Sequence, residues 1–369
     1  MLPKMETVNL LLEGIECRVA NILKQEMLSI GGDVAVARES VACTIDRTDA
    51  LLIGTLKQMK RLADKLAPQP FGLKGISDDI RRILANITRD TFVLRTPKRE
   101  IAVGEKTLIM GIVNITPDSF SDGGMFGGVE EAAAYALKME EAGADIIDIG
   151  GESSRPGSEA VSADEEMARV LPLIERLDGL LTIPISIDTT KAAVAHRALG
   201  AGAEMVNDIS AMSFDERMPG VVADHRVPAV LMHMRGEPRT MQEGDLSYRA
   251  LMGEIVGFLE ERIETAVSAG VDRENIIVDP GIGFGKSTAD NIAILRHLRE
   301  LKALGRPIMV GASRKRFIGQ ITDRERPEER LEGTAASVTA SILNGAHIVR
   351  VHDVGFMERV SRVADEITR

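Results

Sequence analysis

Eight apolar runs in this chain each end in side chains able to do chemistry. TLIMGIVN (107–114) stops at Asn114, DIIDIGG (145–151) leads into GGESSRPG (150–157), and IPISID (183–188) stops at Asp188. EMVNDIS (204–210) carries Asn207 and Asp208, PAVLMHM (228–234) ends in His233 and Met234 with Arg235 behind, and NIIVDPG (275–281) carries Asp279. RPIMVGAS (306–313) runs into Ser313, Arg314 and Lys315, and HIVRVHD (347–353) carries Arg350, His352 and Asp353. Turn propensity alone supplies Gly, Asn and Ser at such points, but not Lys, Arg and His.

The endings separate into two chemical types. Asp188, Asn207 and Asp279 are acceptors suited to a nitrogen-rich heterocycle with several N–H donors. Arg155, Lys315, Arg350 and His352 suit a phosphate or diphosphate. Asn114, with Asp118 and Asp122 nearby, offers the hard oxygen that a Mg2+ riding on a diphosphate takes. Singly, each has a plainer reading. Asp188 could cap the next helix, His233 could be a satisfied core histidine, Asp279-Pro280 could open a turn, and Glu152 could be a structural acceptor under the rim. Their shared position favours a site.

One motif is a decoy. GIGFGKS (281–287) looks like a nucleotide loop, but Pro280 stands where the first glycine of that pattern belongs. It can still approach a ligand closely, with Phe284 offering an apolar face. No Ser-His-Asp or Cys-His arrangement stands out for covalent catalysis.

The elements that must position these residues follow from the runs themselves. Near-continuous Val, Ile and Leu mean strands buried on both faces, hence a parallel sheet. Amphipathic stretches such as EEAAAYALKMEEAGA (130–144) and NIAILRHLRELKALG (291–305) lie between them, several closed by Gly. Eight strand-then-helix units in roughly 260 residues fit a closed (β/α)8 TIM barrel, whose chemistry gathers at the C-terminal strand ends. An open doubly wound sheet would carry a glycine-rich turn after its first strand, and none is present. The barrel is expected over 107–369, after a linker at 96–106 that includes most of RTPKRE (95–100).

Residues 1–95 form a small α/β appendage in this reading. ECRVANILKQEMLSIGG is a helix stopped by Gly31 and Gly32, CTIDR and ALLIGT are short strands, and LKQMKRLADKL is a basic amphipathic helix. SDDIRRILANI has Ser77 as its expected N-cap. The acidic, interrupted N-terminus does not resemble a secretory leader.

With 369 residues, 44% hydrophobic and 27% charged, the composition is that of a soluble globular protein of enzyme size. A formal charge of −11, no Trp and two Tyr speak against a general nucleic-acid or anionic-membrane binder. A few local cations can still outvote a distant acidic surface for a small anionic substrate. Two cysteines, Cys17 and Cys43, without metal-site spacing, point to a reduced, cytoplasmic protein.

GIVNITPDSFSDGG (111–124) and GGESSRPG strongly resemble the two signature segments of the dihydropteroate synthase family. ISIDTTK, VNDIS, LMHMRG, DPGIGFGK, GASRKRFIG and RVHDV are similar to its remaining motifs, in the family's order. The likeness covers about residues 106–369 and leaves the appendage out. It implies that 6-hydroxymethyl-7,8-dihydropterin diphosphate and 4-aminobenzoate, with Mg2+, give 7,8-dihydropteroate and diphosphate in folate synthesis. By motif, Asp188, Asn207, Asp279, Lys315 and Met234 would hold the pterin. Asn114, Arg155, Arg350 and His352 would hold the diphosphate, with Asn114 also the metal ligand. Ser154, Pro156, Phe284, Ser313 and Lys315 would shape the aminobenzoate site. Asp188, Asp279, Lys315 and Arg155 would carry the chemistry. Diphosphate would leave before the amine attacks, while loops 115–127 and 152–162 close over the site to exclude water.

The family is usually homodimeric through barrel helices, and sulfonamides compete for its aminobenzoate site. Ser154 stands where the family commonly has Thr; Ser keeps the hydroxyl and loses a methyl. Two other readings stay open: a pterin-binding methyltransferase that passes a methyl group to a corrinoid, and a non-catalytic pterin-binding paralogue. The cationic endings count against the first, and the complete set of rim residues against the second.

Overall fold

The computed structural model describes residues 7–115, 128–153 and 160–368. The chain divides into two units, Met1–Arg89 and Asp90–Arg369.

In the first unit, β1 (Thr7–Glu16) precedes α1 (Cys17–Ser29), β2 (Asp33–Val36), β3 (Arg47–Thr55), α2 (Leu56–Leu66) and α3 (Leu73–Ile87). The strands form an antiparallel sheet in the order β1-β3-β2. Leu23, Met27, Leu52, Met59, Leu62, Leu66, Leu73 and Ile80 make its core. The helix of residues 17–29 stops as expected before Gly31, whose φ of 82° is the left-handed conformation glycine adopts readily. β1 had no counterpart in the sequence reading; its pairing with β3, Leu10 opposite Leu52, makes a strand of it. The expected N-cap at Ser77 is corrected. α3 begins at Leu73, and buried Ser77 donates its hydroxyl to the Ala63 carbonyl of α2 at 2.7 Å. A neighbouring helix satisfies the hydroxyl, so it marks a contact and not a terminus.

In the second unit, the expected linker 96–106 is instead largely part of a hairpin of β4 (Phe92–Arg95) and β5 (Glu100–Val103). Its Phe92, Leu94 and Val103 pack with Leu108, Met110, Ile146, Met205, Val230, Ile277, Met309 and Ile348, forming an apolar floor inside the barrel. Burial on one face of each strand makes structure of a stretch whose turn residues suggested a connection.

The barrel strands are β6 (Leu108–Asn114), β7 (Ile146–Gly150), β8 (Ile185–Asp188), β9 (Met205–Asp208), β10 (Ala229–Met232), β11 (Ile276–Asp279), β12 (Met309–Val310) and β13 (Ile348–Val351). They are parallel in the order β11-β10-β9-β8-β7-β6-β13-β12, and a bridge between Val278 and Ile308 joins the two ends. Around them lie α4 (Val129–Glu141), α5 (Ala163–Leu177), α6 (Ala192–Gly200), α7 (Met218–His225), α8 (Leu251–Ser268), α9 (Thr288–His297), α10 (Arg316–Thr322), α11 (Leu331–Leu343) and α12 (Val354–Thr368). This is the TIM barrel expected from the eight runs.

Alternation along each strand sorts the residues. Ile109, Ile147, Ile149, Ile185, Ile187, Val206, Leu231, Val278 and Val349 pack outward against the helices. The interleaved set points inward, apolar at the floor and polar above it.

Candidate active site

The pairing register builds the site's first layer. Asn114 lies opposite Gly150, Gly150 opposite Asp188, and Asp188 opposite Asn207. A Cβ on Gly150 would stand 3.1 Å from the Asn114 side-chain oxygen and 3.5 Å from the Asp188 Cβ. The missing side chain there lets Asn114 and Asp188 close on one space.

Beneath this layer sits a charged node that the sequence reading missed. Asp148, fully buried on β7, accepts from Arg350 Nε at 2.6 Å and from Asn207 Nδ2 at 3.0 Å. The same guanidinium reaches Asp188 through its Nη2 at 2.6 Å. The signal for Asp148 was available: it stands two residues before Gly150 and so faces the same side of the strand. Arg350 was expected among the diphosphate ligands. Here it bridges two carboxylates of the acceptor set, so the two charge types interleave.

Asp279 keeps its plainer reading and a second one. One of its oxygens accepts the Gly281 N–H at 2.6 Å, holding the turn. The other lies 4.0 Å from where a Cβ on Gly311 would be, a point also 3.9 Å from the Arg350 Cβ. Lys315, at the start of α10, lays its ammonium 4.1 Å from the centre of the Phe284 ring. Phe284 closes a cluster with Ile209, Met232, Met234 and Met241, which puts Met234 on this wall. Ser313 and His352 join across β12 and β13, Oγ to Nδ1 at 3.0 Å. Arg314 and Asp353 pair above them at 2.6 Å.

Electrostatics follow from burial. Asp188 is pushed up to about 7 by desolvation; Arg350 opposes this while Asp148 adds to it. Asp279 is pushed up to about 6 by burial, against the Gly281 N–H and Lys315. Burial, then Arg350, brings Lys315 down to about 8. For Arg350, burial works against the charge, but Asp148 and Asp188 outweigh it and its pKa is raised. Burial, then Arg314 and Arg350, holds His352 neutral at about 3. The acids resist ionising and Lys315 resists protonation until a ligand supplies donors and an anion.

Other sequence readings resolve individually. Asp188 does not cap α6; Asp215 accepts the Ala192 N–H there at 3.0 Å. His233 is buried and neutral, pushed down to about 3 by desolvation and then Lys286. Glu152 is a structural acceptor, taking the Val161 N–H at 3.1 Å and pairing with Lys191, which also holds buried Glu166 at 2.6 Å. Asp208 turns away from Asn207 and accepts from Ser210 and Met212. Ser154, Arg155, Pro156, Asp118, Asp122 and most of both expected lid loops lie outside the described residues.

The chain matches the model of the family described as "Pterin binding enzyme" over residues 110–352. It is 52% identical over 266 residues to the dihydropteroate synthase of Synechocystis sp., a match covering 72% of this chain and 92% of that protein. It is 43% identical over 351 residues to a probable bifunctional folylpolyglutamate synthase/dihydropteroate synthase of Halobacterium salinarum, covering 95% of this chain and 42% of that one. Among solved structures, a Xanthomonas albilineans dihydropteroate synthase with 4-aminobenzoic acid superposes with TM-score 0.70 at 45% identity, over 75% of this chain and 98% of that one. A Yersinia pestis dihydropteroate synthase in complex with a sulfonamide drug gives 0.71 at 38%, over 75% and 99%. With a polar rim on every strand end, an acceptor set threaded by Arg350 and these matches over the whole barrel, the chain belongs to the pterin-binding enzyme family, among its dihydropteroate synthases.

Proposed function

We propose that the barrel joins 6-hydroxymethyl-7,8-dihydropterin diphosphate to 4-aminobenzoate by a dissociative route, with the residues around Arg350 holding the pterin. The observation that carries this is one guanidinium shared by Asp148 and Asp188 while Asn207 donates to the same Asp148 oxygen. That arrangement fixes acceptor oxygens at the base of the pocket for the N–H edge of the pterin. Asp279, behind Gly311, would take a further donor.

In this reading the methylene C–O bond breaks with its electron pair going to diphosphate. The pterin nitrogens spread the positive charge left on the methylene. The 4-aminobenzoate nitrogen then forms the C–N bond and loses a proton to solvent or to the released diphosphate. Asp188 and Asp279 favour the cation, and arriving positive charge brings both acids down toward ionisation. Lys315 and His352 face the leaving group, with Arg155 assigned there by motif; stabilising that charge supplies the larger part of the rate. Phe284, Ser313 and Lys315 form the described part of the aminobenzoate wall, and Ser154 and Pro156 are assigned to the remainder by motif alone.

Among the described residues no three His, Cys, Asp or Glu gather into a metal site. A Mg2+ would ride on the diphosphate, with the Asn114 side-chain oxygen, which reaches the rim beside Gly150, as its protein ligand. When bound it would neutralise charge on the departing group. A homodimer is part of the same reading, supported by apolar Phe356, Val363 and Ile367 exposed along α12. A cytoplasmic location is also retained; no described helix is long and apolar enough to cross a membrane.

The test is diphosphate release from the dihydropterin diphosphate with Mg2+, with and without 4-aminobenzoate, followed by product mass. Release coupled to dihydropteroate formation is expected. Pterin binding without release would overturn the reading of the cationic residues.

A further inference from the structure

Lys286 is a buried cation that none of the steps above uses. It is 2% exposed, and among the described residues no carboxylate pairs with it. Its ammonium spends its donors on neutral acceptors: His233 Nδ1 at 2.9 Å, the Phe284 carbonyl at 3.0 Å and the His233 carbonyl at 3.2 Å. A charged ammonium can only donate, so when Lys286 is protonated His233 carries its proton on Nε2. Those acceptors belong to two segments, one following β10 and the other following β11.

The two segments also press together through backbone. A Cβ on Gly281 would collide with the His233 carbonyl, and one on Gly285 would stand 2.6 Å from the Arg235 carbonyl. Both glycines have left-handed φ values, 69° and 64°. Further ties reach the same loop, from Gln242 to the Gly283 carbonyl and from Tyr248 to the Gly285 carbonyl, each at 2.9 Å. Lys286 is the charged member of this set and the one that grips the Phe284 carbonyl. The Phe284 ring in turn lies under the Lys315 ammonium.

We propose that Lys286 is a positioning residue that ties the loop after β11 to the segment after β10 and so sets the Phe284–Lys315 wall against which 4-aminobenzoate binds. This rests on the assignment of Phe284 and Lys315 to that wall. Desolvation brings Lys286 down to about 7, a cost that a structural tie made by a neutral amide would avoid. The ammonium, unlike an amide, reaches all three acceptors at once.

The experiment is steady-state kinetics on the full chain with Lys286→Met, Phe284→Leu and the double variant. Lys286→Met is expected to raise KM for 4-aminobenzoate about ten-fold, with KM for the pterin diphosphate within about two-fold. Because Lys286 acts through Phe284, the double variant is expected to match Phe284→Leu alone. A general loss of folded enzyme would lower apparent kcat and leave both KM values in place. An unchanged aminobenzoate KM in Lys286→Met, or full additivity in the double variant, would overturn the proposal. If Phe284→Leu itself leaves that KM unchanged, the wall assignment is at fault and the proposal falls with it. Should Lys286→Met not fold, Lys286→Gln keeps one donor and is expected to raise the same KM about three-fold; no change there would be equally fatal.

Discussion

Replacing Asp148 with Asn separates two jobs that the buried charge node performs. The substitution keeps the shape and removes the charge that Arg350 Nε meets at 2.6 Å. Asn207 and Arg350 can still donate to the remaining amide oxygen. The new NH2 group then takes the place of Asp148 Oδ1, a buried atom with no partner. Losing a charge-assisted bond and burying an unsatisfied donor together cost about 2–3 kcal/mol. For a unit of this size that is a fall in Tm of roughly 4–10 °C.

The effect on Asp188 runs the other way. Both acids contact one guanidinium, so they stand on the order of 5 Å apart, and their repulsion at an effective dielectric of about 20 is about 3 kcal/mol. Removing it, and leaving Arg350 to Asp188 alone, both lower the Asp188 pKa from about 7. Asp188 then stays ionised to lower pH, and the acid limb of pterin binding moves down by about one pH unit or more. Thermal unfolding and calorimetric titration with a pterin between pH 5 and pH 8 read the two effects separately. A variant that melts within about 2 °C of the parent would refute the node's structural role. An acid limb that does not move would refute the coupling to Asp188.

Lys315→Met is expected to lower kcat/KM by roughly 10²–10³ while Tm holds or rises, because a partly buried, desolvated ammonium without an ion pair is a stability cost; steady-state kinetics and melting decide it. Asn114→Ala is expected to raise the Mg2+ concentration for half-maximal activity several-fold, read by titrating turnover against Mg2+, and full activity at limiting Mg2+ would remove its ligand role. A chain starting at Asp90 is expected to fold and keep kcat within about two-fold, since residues 90–369 form their own contact unit; a mass and turnover comparison checks it.

The eight barrel strands were legible because both of their faces are buried, so that each shows as an unbroken β-branched run with a polar ending. Asn114, Asp188, Asn207, Asp279, Lys315 and His352 follow from those endings. Arg350 was legible too, as the ending of HIVRVHD, but Asp148 needed one more step, counting back by two from the rim, since a side chain one layer deeper looks like an interruption in an apolar run. Lys286 was set aside with the nucleotide-loop pattern it fails to complete, and two of its three acceptors belong to His233, about fifty residues earlier. The hairpin of β4 and β5 read as a linker because four-residue strands flanking Thr-Pro-Lys carry too short a period to register. Arg350's dual pairing was not legible at all: Asp148 and Asp188 lie 202 and 162 residues away, and only barrel closure brings them to it.

The alternation along the strands has a consequence for how such a chain can change length. In β8, Ile185 and Ile187 pack toward the helices while Asp188 pairs with Arg350. One residue inserted between Ile185 and Asp188 would reverse the remainder, driving an isoleucine into the charged centre and a carboxylate into the helix layer. The same residue inserted after Asp188 disturbs neither set. Insertions and deletions are therefore barred from the strands and admitted beyond their ends, so the mouth of the barrel can be rebuilt segment by segment while its walls keep a fixed count.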